Sequence, residues 1–276
     1  MKADSSANFK QSTLVPWIEL RVATQSSACY EAHSHDEFSF GIINQGTANY
    51  YNRGVSHRIG RGDVVTINPS DVHSCNPNLG SWSYNMLFVD TLKMGELQQE
   101  VLHSRGQSSS FDYLPFVGDL ERHSLIKQQF QSLFMSLRQE RDLLQTQNHL
   151  FAFVETTLGS VSFDTNENVL APLSRVRDKL LDEIDASHQL ETLATEVGLS
   201  RYQLLRMFKR HFGMTPHAYV MDEKIKRAKV MLKRGQGISD IAHQLGFSDQ
   251  AHFQRHFKKV LTVTPKYYQS HFVMDR

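Results

Sequence analysis

The first ninety residues carry apolar and polar positions at the spacing of short strands, broken by turn signals. Glu37-Phe-Ser-Phe-Gly-Ile-Ile43 sets apolar residues beside polar ones at a strand-like period. Asn44-Gln-Gly46, Asn52-Arg-Gly54 and Gly60-Arg-Gly62 are turn signals. Between them lie Thr47-Ala-Asn-Tyr-Tyr51 and Asp63-Val-Val-Thr-Ile67, rich in β-branched and aromatic residues. Ser81-Trp-Ser-Tyr-Asn-Met-Leu-Phe-Val89 reads as one more strand. Short strands with turns every eight to ten residues predict an antiparallel sandwich or barrel.

The period then changes. Ile126, Phe130, Leu133, Phe134 and Leu137 follow i, i+4, i+7, i+8, i+11, one face of a helix. Leu150, Val154 and Leu158 mark a second helix, with the polar Arg138-Gln-Glu-Arg-Asp142 between the two. This hairpin can pack on the strands, meet a second subunit, or do both. Ser162-Phe-Asp-Thr-Asn-Glu-Asn168 is polar and aperiodic and reads as a linker. After Pro172 the chain reads as short helices separated by Gly and Pro signals. The expected boundaries are therefore 1–160, a linker at 161–171, and 172–276.

The C-terminal part contains one unit twice. Leu193-Ala-Thr-Glu-Val-Gly-Leu-Ser200 and Ile241-Ala-His-Gln-Leu-Gly-Phe-Ser248 align 48 positions apart. With one inserted residue, Arg206, Phe208 and Lys209 match Arg255, Phe257 and Lys258, and Thr215-Pro216 and Tyr219 match Thr264-Pro265 and Tyr268. Each copy has the parts of a helix-turn-helix. A Gly can take positive φ where the first helix ends. The apolar Leu199 or Phe247 plugs the turn, and a Ser caps the next helix. That helix buries Leu204 and Phe208, or Phe253 and Phe257. Its other face carries Arg201, Tyr202, Leu205 and Arg206, or Asp249, Gln250, His252 and Arg255, groups suited to reading base edges in a major groove. Between the copies, Pro216 opens a helix running to about Arg234. Some 18 residues make a rod of ~27 Å, which could hold two reading helices about one turn of DNA apart.

Charge agrees with that reading. The net charge of +1 hides an asymmetry: residues 1–171 hold 12 Lys+Arg against 18 Asp+Glu, and residues 172–276 hold 18 against 11. A basic C-terminal third suits a polyanion. A hydrophobic content of 40% and a charged content of 21% exclude a disordered or low-complexity chain. Two cysteines are too few for a disulfide scaffold. No apolar run approaches a membrane span and the N-terminus lacks a signal-peptide stretch, so the expected compartment is the cytoplasm, with no membrane partner.

The C-terminal ~105 residues resemble the DNA-binding domain of AraC/XylS-type transcription regulators, most closely in Gly246-Phe-Ser-Asp-Gln-Ala-His-Phe-Gln-Arg-His-Phe-Lys-Lys259. The resemblance implies seven helices and two helix-turn-helix units on one face of double-stranded DNA. It implies base contacts from Tyr202, Leu205, Arg206, Gln250, His252 and Arg255. Lys209, Arg210, Lys258 and Lys259 would meet phosphates, which set affinity rather than sequence choice. Leu205 departs from the family by placing an apolar side chain where a polar reader is frequent.

The N-terminal half carries His33-Ser-His-Asp-Glu37, and later Gly62 to His73. On a strand, His33, His35 and Glu37 would point to one side, and a second strand could bring His73 beside them. This resembles the two cupin motifs, with Asn68 where a proline is usual and Ser70 where a glycine is usual. Three readings stand: His33, His35, Glu37 and His73 bind a small polar effector; the histidines tie down strand ends and loops; or the group holds a metal in a cupin enzyme fused to a DNA-binding domain. No other catalytic constellation is present. Cys75, two residues from His73, reads as a small buried residue.

The expected fold is α+β and two-domain: an N-terminal cupin-like antiparallel β-barrel with a helical hairpin, and a C-terminal all-α domain with two helix-turn-helix units. The expected function is a sequence-specific DNA-binding regulator or activator controlled by a small polar effector, dimeric through the hairpin, with no enzymatic activity, cofactor or metal. RNA polymerase is a further partner for such a regulator, although no surface motif marks the contact.

Overall fold

A computed structural model describes residues 6–78, 80–107, 112–159, 171–186 and 188–273. Among them are nine strands and ten helices, which divide into two compact units. One unit holds described residues 6–29 and 34–159, the other 30–33 and 171–273. The linker expected at 161–171 lies, Ala171 apart, outside the described residues.

The first unit opens with β1 (Ala7–Gln11), β2 (Ile18–Ser26), β3 (Phe38–Gln45), β4 (Thr47–Asn52), β5 (Val55–Gly60), β6 (Val64–Ile67), β7 (His73–Pro77) and β8 (Trp82–Val89). Then come α1 (Thr91–Ser104), β9 (Leu120–Glu121), α2 (Ser124–Gln139) and α3 (Leu143–Leu158). The strands form a six-stranded sheet, β1-β2-β8-β3-β6-β9, and a three-stranded sheet, β5-β4-β7. All their pairings are antiparallel, but they make two sheets rather than the expected single barrel. The register of β3 shifts between Ile43 and Gln45, and Gly46, at φ +81°, turns the chain into a new ladder. A Cβ at Gly46 would lie 2.7 Å from the Ser81 carbonyl oxygen, so the turn requires glycine twice over. The sheets face each other: Tyr50 of β4, fully buried, donates its hydroxyl to the Thr66 carbonyl of β6 at 3.0 Å.

One face of the large sheet carries Ile18, Leu20, Phe38, Phe40, Leu87 and Val89, which join α1–α3 in one core. The helical periodicity places the right residues there. Ile126, Phe130, Leu133, Phe134 and Leu137 of α2 are all buried, as are Leu150, Val154 and Leu158 of α3. Phe40 meets Phe153 edge-on at 5.0 Å between centroids. Helix α1 has only a weak apolar period because two residues of its buried face, Gly95 and Gln98, blunt the pattern. Gly95 admits the backbone of Asp112, whose carbonyl oxygen would lie 1.8 Å from a Cβ. Gln98 is buried because its amide pairs with the Leu114 backbone, at 2.7 and 2.8 Å.

The second unit is helical: α4 (Ala171–Asp182), α5 (Leu190–Glu196), α6 (Arg201–Phe212), α7 (Pro216–Lys233), α8 (Ile238–Gln244), α9 (Gln250–Leu261) and α10 (Pro265–Gln269). The duplication is visible in the packing. Phe208 of α6 meets Tyr219 at 5.6 Å, and Phe257 of α9 meets Tyr268 at 5.7 Å, both edge-to-face. Leu204, Phe208, Phe253 and Phe257 are completely buried, as the pattern required. Thr215 caps α7 and Pro216 begins it, giving the expected 18-residue rod.

Candidate functional site

Two turns define the first candidate site. In copy one, the Leu199 N–H donates to Ala194 O at 2.9 Å and the Gly198 N–H to Thr195 O at 3.1 Å. In copy two, the Phe247 N–H donates to Ala242 O at 2.9 Å and the Gly246 N–H to His243 O at 3.0 Å. These are matched Schellman motifs, which satisfy the last carbonyls of α5 and α8 and need a left-handed residue at the turn. Gly198 and Gly246 supply it, at φ +69° and +64°.

The turns then diverge. Ser200 caps α6 in a reciprocal box with Gln203, its hydroxyl accepting from the Gln203 N–H at 3.2 Å while the Gln203 amide oxygen accepts from the Ser200 N–H at 2.9 Å. The expected cap of the second copy, Ser248, does not cap α9. Asp249 does, its carboxylate accepting from the His252 N–H at 2.6 Å. The single inserted residue of the alignment therefore falls at the cap and lengthens the second turn by one position. That backbone hydrogen bond holds the Asp249 carboxyl below the ordinary carboxylate range.

The predicted readers occupy the open face. Arg201, Leu205, Arg206, Lys209 and Arg210 are exposed on α6, and Gln250, Arg255 and Lys259 are exposed on α9. Asp249 is exposed at the head of α9, while His252 and Lys258 are half-buried. The side chain of Tyr202 lies outside the described residues. Arg201 makes a loose surface pair with Glu191 at 3.8 Å, and Lys259 pairs with Glu31, in the same unit, at 3.2 Å. The His252 ring turns back toward the Ser248 hydroxyl at 3.1 Å and stands edge-on to His256 at 4.7 Å. Leu205 also lines a cavity inside the unit.

The histidines of the first unit behave differently from the expectation. Residues 33–37 bend instead of running as a strand, and β3 begins only at Phe38. The bend is closed by His35, whose Nδ1 lies 3.0 Å from the Glu37 carbonyl oxygen. His33, with its Nδ1 on the Glu31 carbonyl at 2.8 Å, groups with the helical unit. The quartet His33, His35, Glu37 and His73 is thus not assembled on one strand face. His35 and His73 do meet: both are buried, with ring centroids 4.6 Å apart. His73 Nδ1 lies 2.9 Å from the Asp71 carbonyl oxygen, so the pair also ties down loops. Among the described residues, no group of three or more His, Cys, Asp or Glu is placed to hold a metal ion. The Cys75 residue keeps some exposed surface, but burial of its thiol pushes the pKa up and disfavours the thiolate.

The two departures from the cupin pattern have structural reasons. Ser70 keeps the left-handed backbone of a glycine, at φ +67°. Asn68 pairs reciprocally with the Phe116 backbone, at 2.8 and 3.0 Å, which a proline could not do.

Sequence reasoning missed two buried charges. Glu19 and Arg21 lie on the face of the large sheet opposite the helices and are 3% and 6% exposed. The register places Arg21 beside Phe9 and Met86, and Glu19 beside Phe88. The Arg21 guanidinium stands 5.1 Å from the Phe9 ring centroid and 5.6 Å from that of Tyr84. Tyr84 packs against Trp82 with ring centroids 4.4 Å apart and planes tilted by 40°, and the Trp82 indole N–H is buried without a hydrogen bond. Phe88 in turn packs edge-on against His35 at 5.4 Å. A charged, aromatic inner face therefore reaches the histidine pair. The sequence signal for them is the alternation in Ile18-Glu-Leu-Arg-Val22.

Comparison with known proteins agrees with the two-domain layout. A helix-turn-helix domain model matches residues 193–271, and an AraC-like ligand binding domain model matches residues 18–154. The chain is 30% identical over 229 residues to YbfI, an uncharacterized HTH-type transcriptional regulator of Bacillus subtilis, covering 80% of each chain. It is 25% identical over 244 residues to the HTH-type transcriptional activator RhaS of Escherichia fergusonii, covering 86% of each. ToxT from Vibrio cholerae shares the fold, with a TM-score of 0.57 at 16% identity over 93% of this chain and 99% of that one. Two helix-turn-helix copies behind a ligand-binding type of sheet domain make this chain a member of the AraC family of transcriptional regulators.

Proposed function

We propose that α6 and α9 each enter the major groove of one DNA duplex, one turn apart, and that Arg206 and Arg255 read bases there. The observation that carries this is the repeated turn geometry, which exposes a matching arginine on each second helix of a basic segment. Arginine in that position can bond guanine bidentately, and the lysines and Arg210 supply phosphate contacts.

The effector is proposed to lie on the inner face of the large sheet, against Arg21, Glu19, Trp82 and Tyr84, with His35 and His73 at one end. Two buried charges and an indole N–H suit a small polar molecule carrying hydroxyl or carboxylate groups. It regulates by binding one state of the protein more tightly than another. The α2–α3 hairpin is proposed to mediate a homodimer, because Met135, Leu143 and Leu144 keep large apolar surface in solvent. No catalytic step belongs to this reading, and the chain acts in the cytoplasm. No helix among the described residues is long and apolar enough to cross a membrane.

Selection from a random DNA pool with the full chain, at stated salt, tests the proposal. The expected product is a motif with two half-sites about 10 base pairs apart, on one face of the duplex. Selection that enriches no sequence, with or without small polar acids and sugars present, overturns it.

A further inference from the structure

The helical unit holds a cavity of about 360 Å³ that Leu205, one of the expected readers, borders and that DNA reading by Arg206 and Arg255 leaves unexplained. Its walls are largely apolar, with Leu180, Leu193, Leu205 and Val220 among them. That volume falls in the range of small-molecule sites. The cavity also contains Lys224 from the middle of α7, which is only 3% exposed. Lys224 Nζ donates to the Gly246 carbonyl at 3.1 Å and lies 5.3 Å from the Phe247 ring centroid. An ammonium has three donors, and Gly246 takes one of them. Burial lowers the Lys224 pKa, so the protonated amine gains from any anion brought beside it; Asp185, on the cavity wall, acts in that sense more weakly than burial opposes it. The first turn of the 18-residue helix α7, at Thr215 to His217, lines the same cavity and presents the positive end of its dipole.

We propose that this cavity binds a small molecule with an apolar body and one carboxylate, the carboxylate on Lys224 Nζ and the body against Leu193, Leu205 and Val220. The site is separate from the effector face of the sheet and does not depend on it. It touches both helix-turn-helix copies, through Leu205 of α6 and Gly246 at the turn before α9, so its occupant bears on the reading helices directly.

Calorimetric titration of the full chain with sodium octanoate, against octan-1-ol as the neutral control, tests this. Octanoate is expected to bind one saturable site at least tenfold more tightly than octanol. Lys224→Met is expected to lower octanoate affinity at least tenfold while leaving octanol within about twofold. Val220→Trp, which fills the cavity, is expected to abolish both, with circular dichroism checking that each variant is folded. Arg21→Met, on the sheet, is expected to leave octanoate binding unchanged. Equal binding of octanoate and octanol, octanoate binding unaltered by Lys224→Met in a folded protein, or no saturable binding at millimolar octanoate overturns the proposal. Loss of octanoate binding in Arg21→Met also overturns it, by moving the site to the sheet.

Discussion

The two helix-turn-helix copies began as one unit and are now held in place differently. In copy one, Gly198 needs glycine only for its backbone: nothing lies within 4 Å of where a Cβ would be. In copy two, a Cβ on Gly246 would lie 2.3 Å from the Asp185 carbonyl oxygen. The carbonyl of that same Gly246 is gripped by Lys224 from the connecting helix. Copy one thus relies on its own box of Ser200 and Gln203 and on the cluster around Leu173, Val176 and Phe208. Copy two is fastened to α7 and to the α4–α5 turn, and it has gained a cap residue. Between these two copies the Schellman hydrogen bonds match, while the cap and the surroundings of the turn differ.

The largest expected effect comes from the glycines. Gly246→Ala places a methyl group into backbone as well as into a left-handed conformation, for a loss of about 2–5 kcal/mol. Gly198→Ala meets only the conformational cost, about 1–2 kcal/mol. Denaturant unfolding of both variants measures the gap, and equal losses would remove the distinction between the copies.

The caps come next. Ser200→Ala is expected to cost about 1 kcal/mol, because the hydroxyl satisfies a first-turn N–H. Ser248→Ala, at the aligned position, is expected to stay within about 0.5 kcal/mol, because capping has passed to Asp249. If the two serines cost the same, the insertion does not lie where the structure puts it.

The copies should also differ in their response to pH. His256 on α9 corresponds to Met207 on α6, so only copy two titrates there. Burial, then the charges of His252, Lys259 and His217, hold its pKa below the ordinary 6.5. As pH falls through that value the unfolded chain takes up the proton first, so stability declines until the lower folded pKa is reached. The melting temperature is expected to fall below pH 6.5, and His256→Asn to flatten that part of the curve.

The smallest effect concerns phosphate contacts. Lys258→Ala is expected to weaken binding to every DNA sequence alike and to reduce the salt slope by about 0.9. A sequence-dependent loss would make Lys258 a base reader.

Much of this could be read from the chain because periodicity reports burial directly. The α2 and α3 stripes, the duplicated turns and the α7 rod stand where spacing put them. Besides the open sheets and the displaced cap of α9, three things escaped, each for a physical reason. Glu19 and Arg21 alternate with apolar residues as an exposed face would, and only sheet pairing with β1 and β8 encloses them. Gly95 and Gln98 lie on the buried side of α1 because loop backbone packs there, which no helical period encodes. The strand geometry expected for His33, His35 and Glu37 fails because a side chain-to-backbone bond from His35 bends the segment, and such bonds depend on local folding rather than on composition.

The central claim is that both copies read sequence, each through its own arginine. Site selection repeated with Arg206→Ala and with Arg255→Ala tests it most directly. Each variant is predicted to lose about 1–3 kcal/mol at the preferred site and to relax sequence choice in one half-site only, a different half for each. Uniform loss across the whole site, or the same loss on random DNA for both variants, would contradict it.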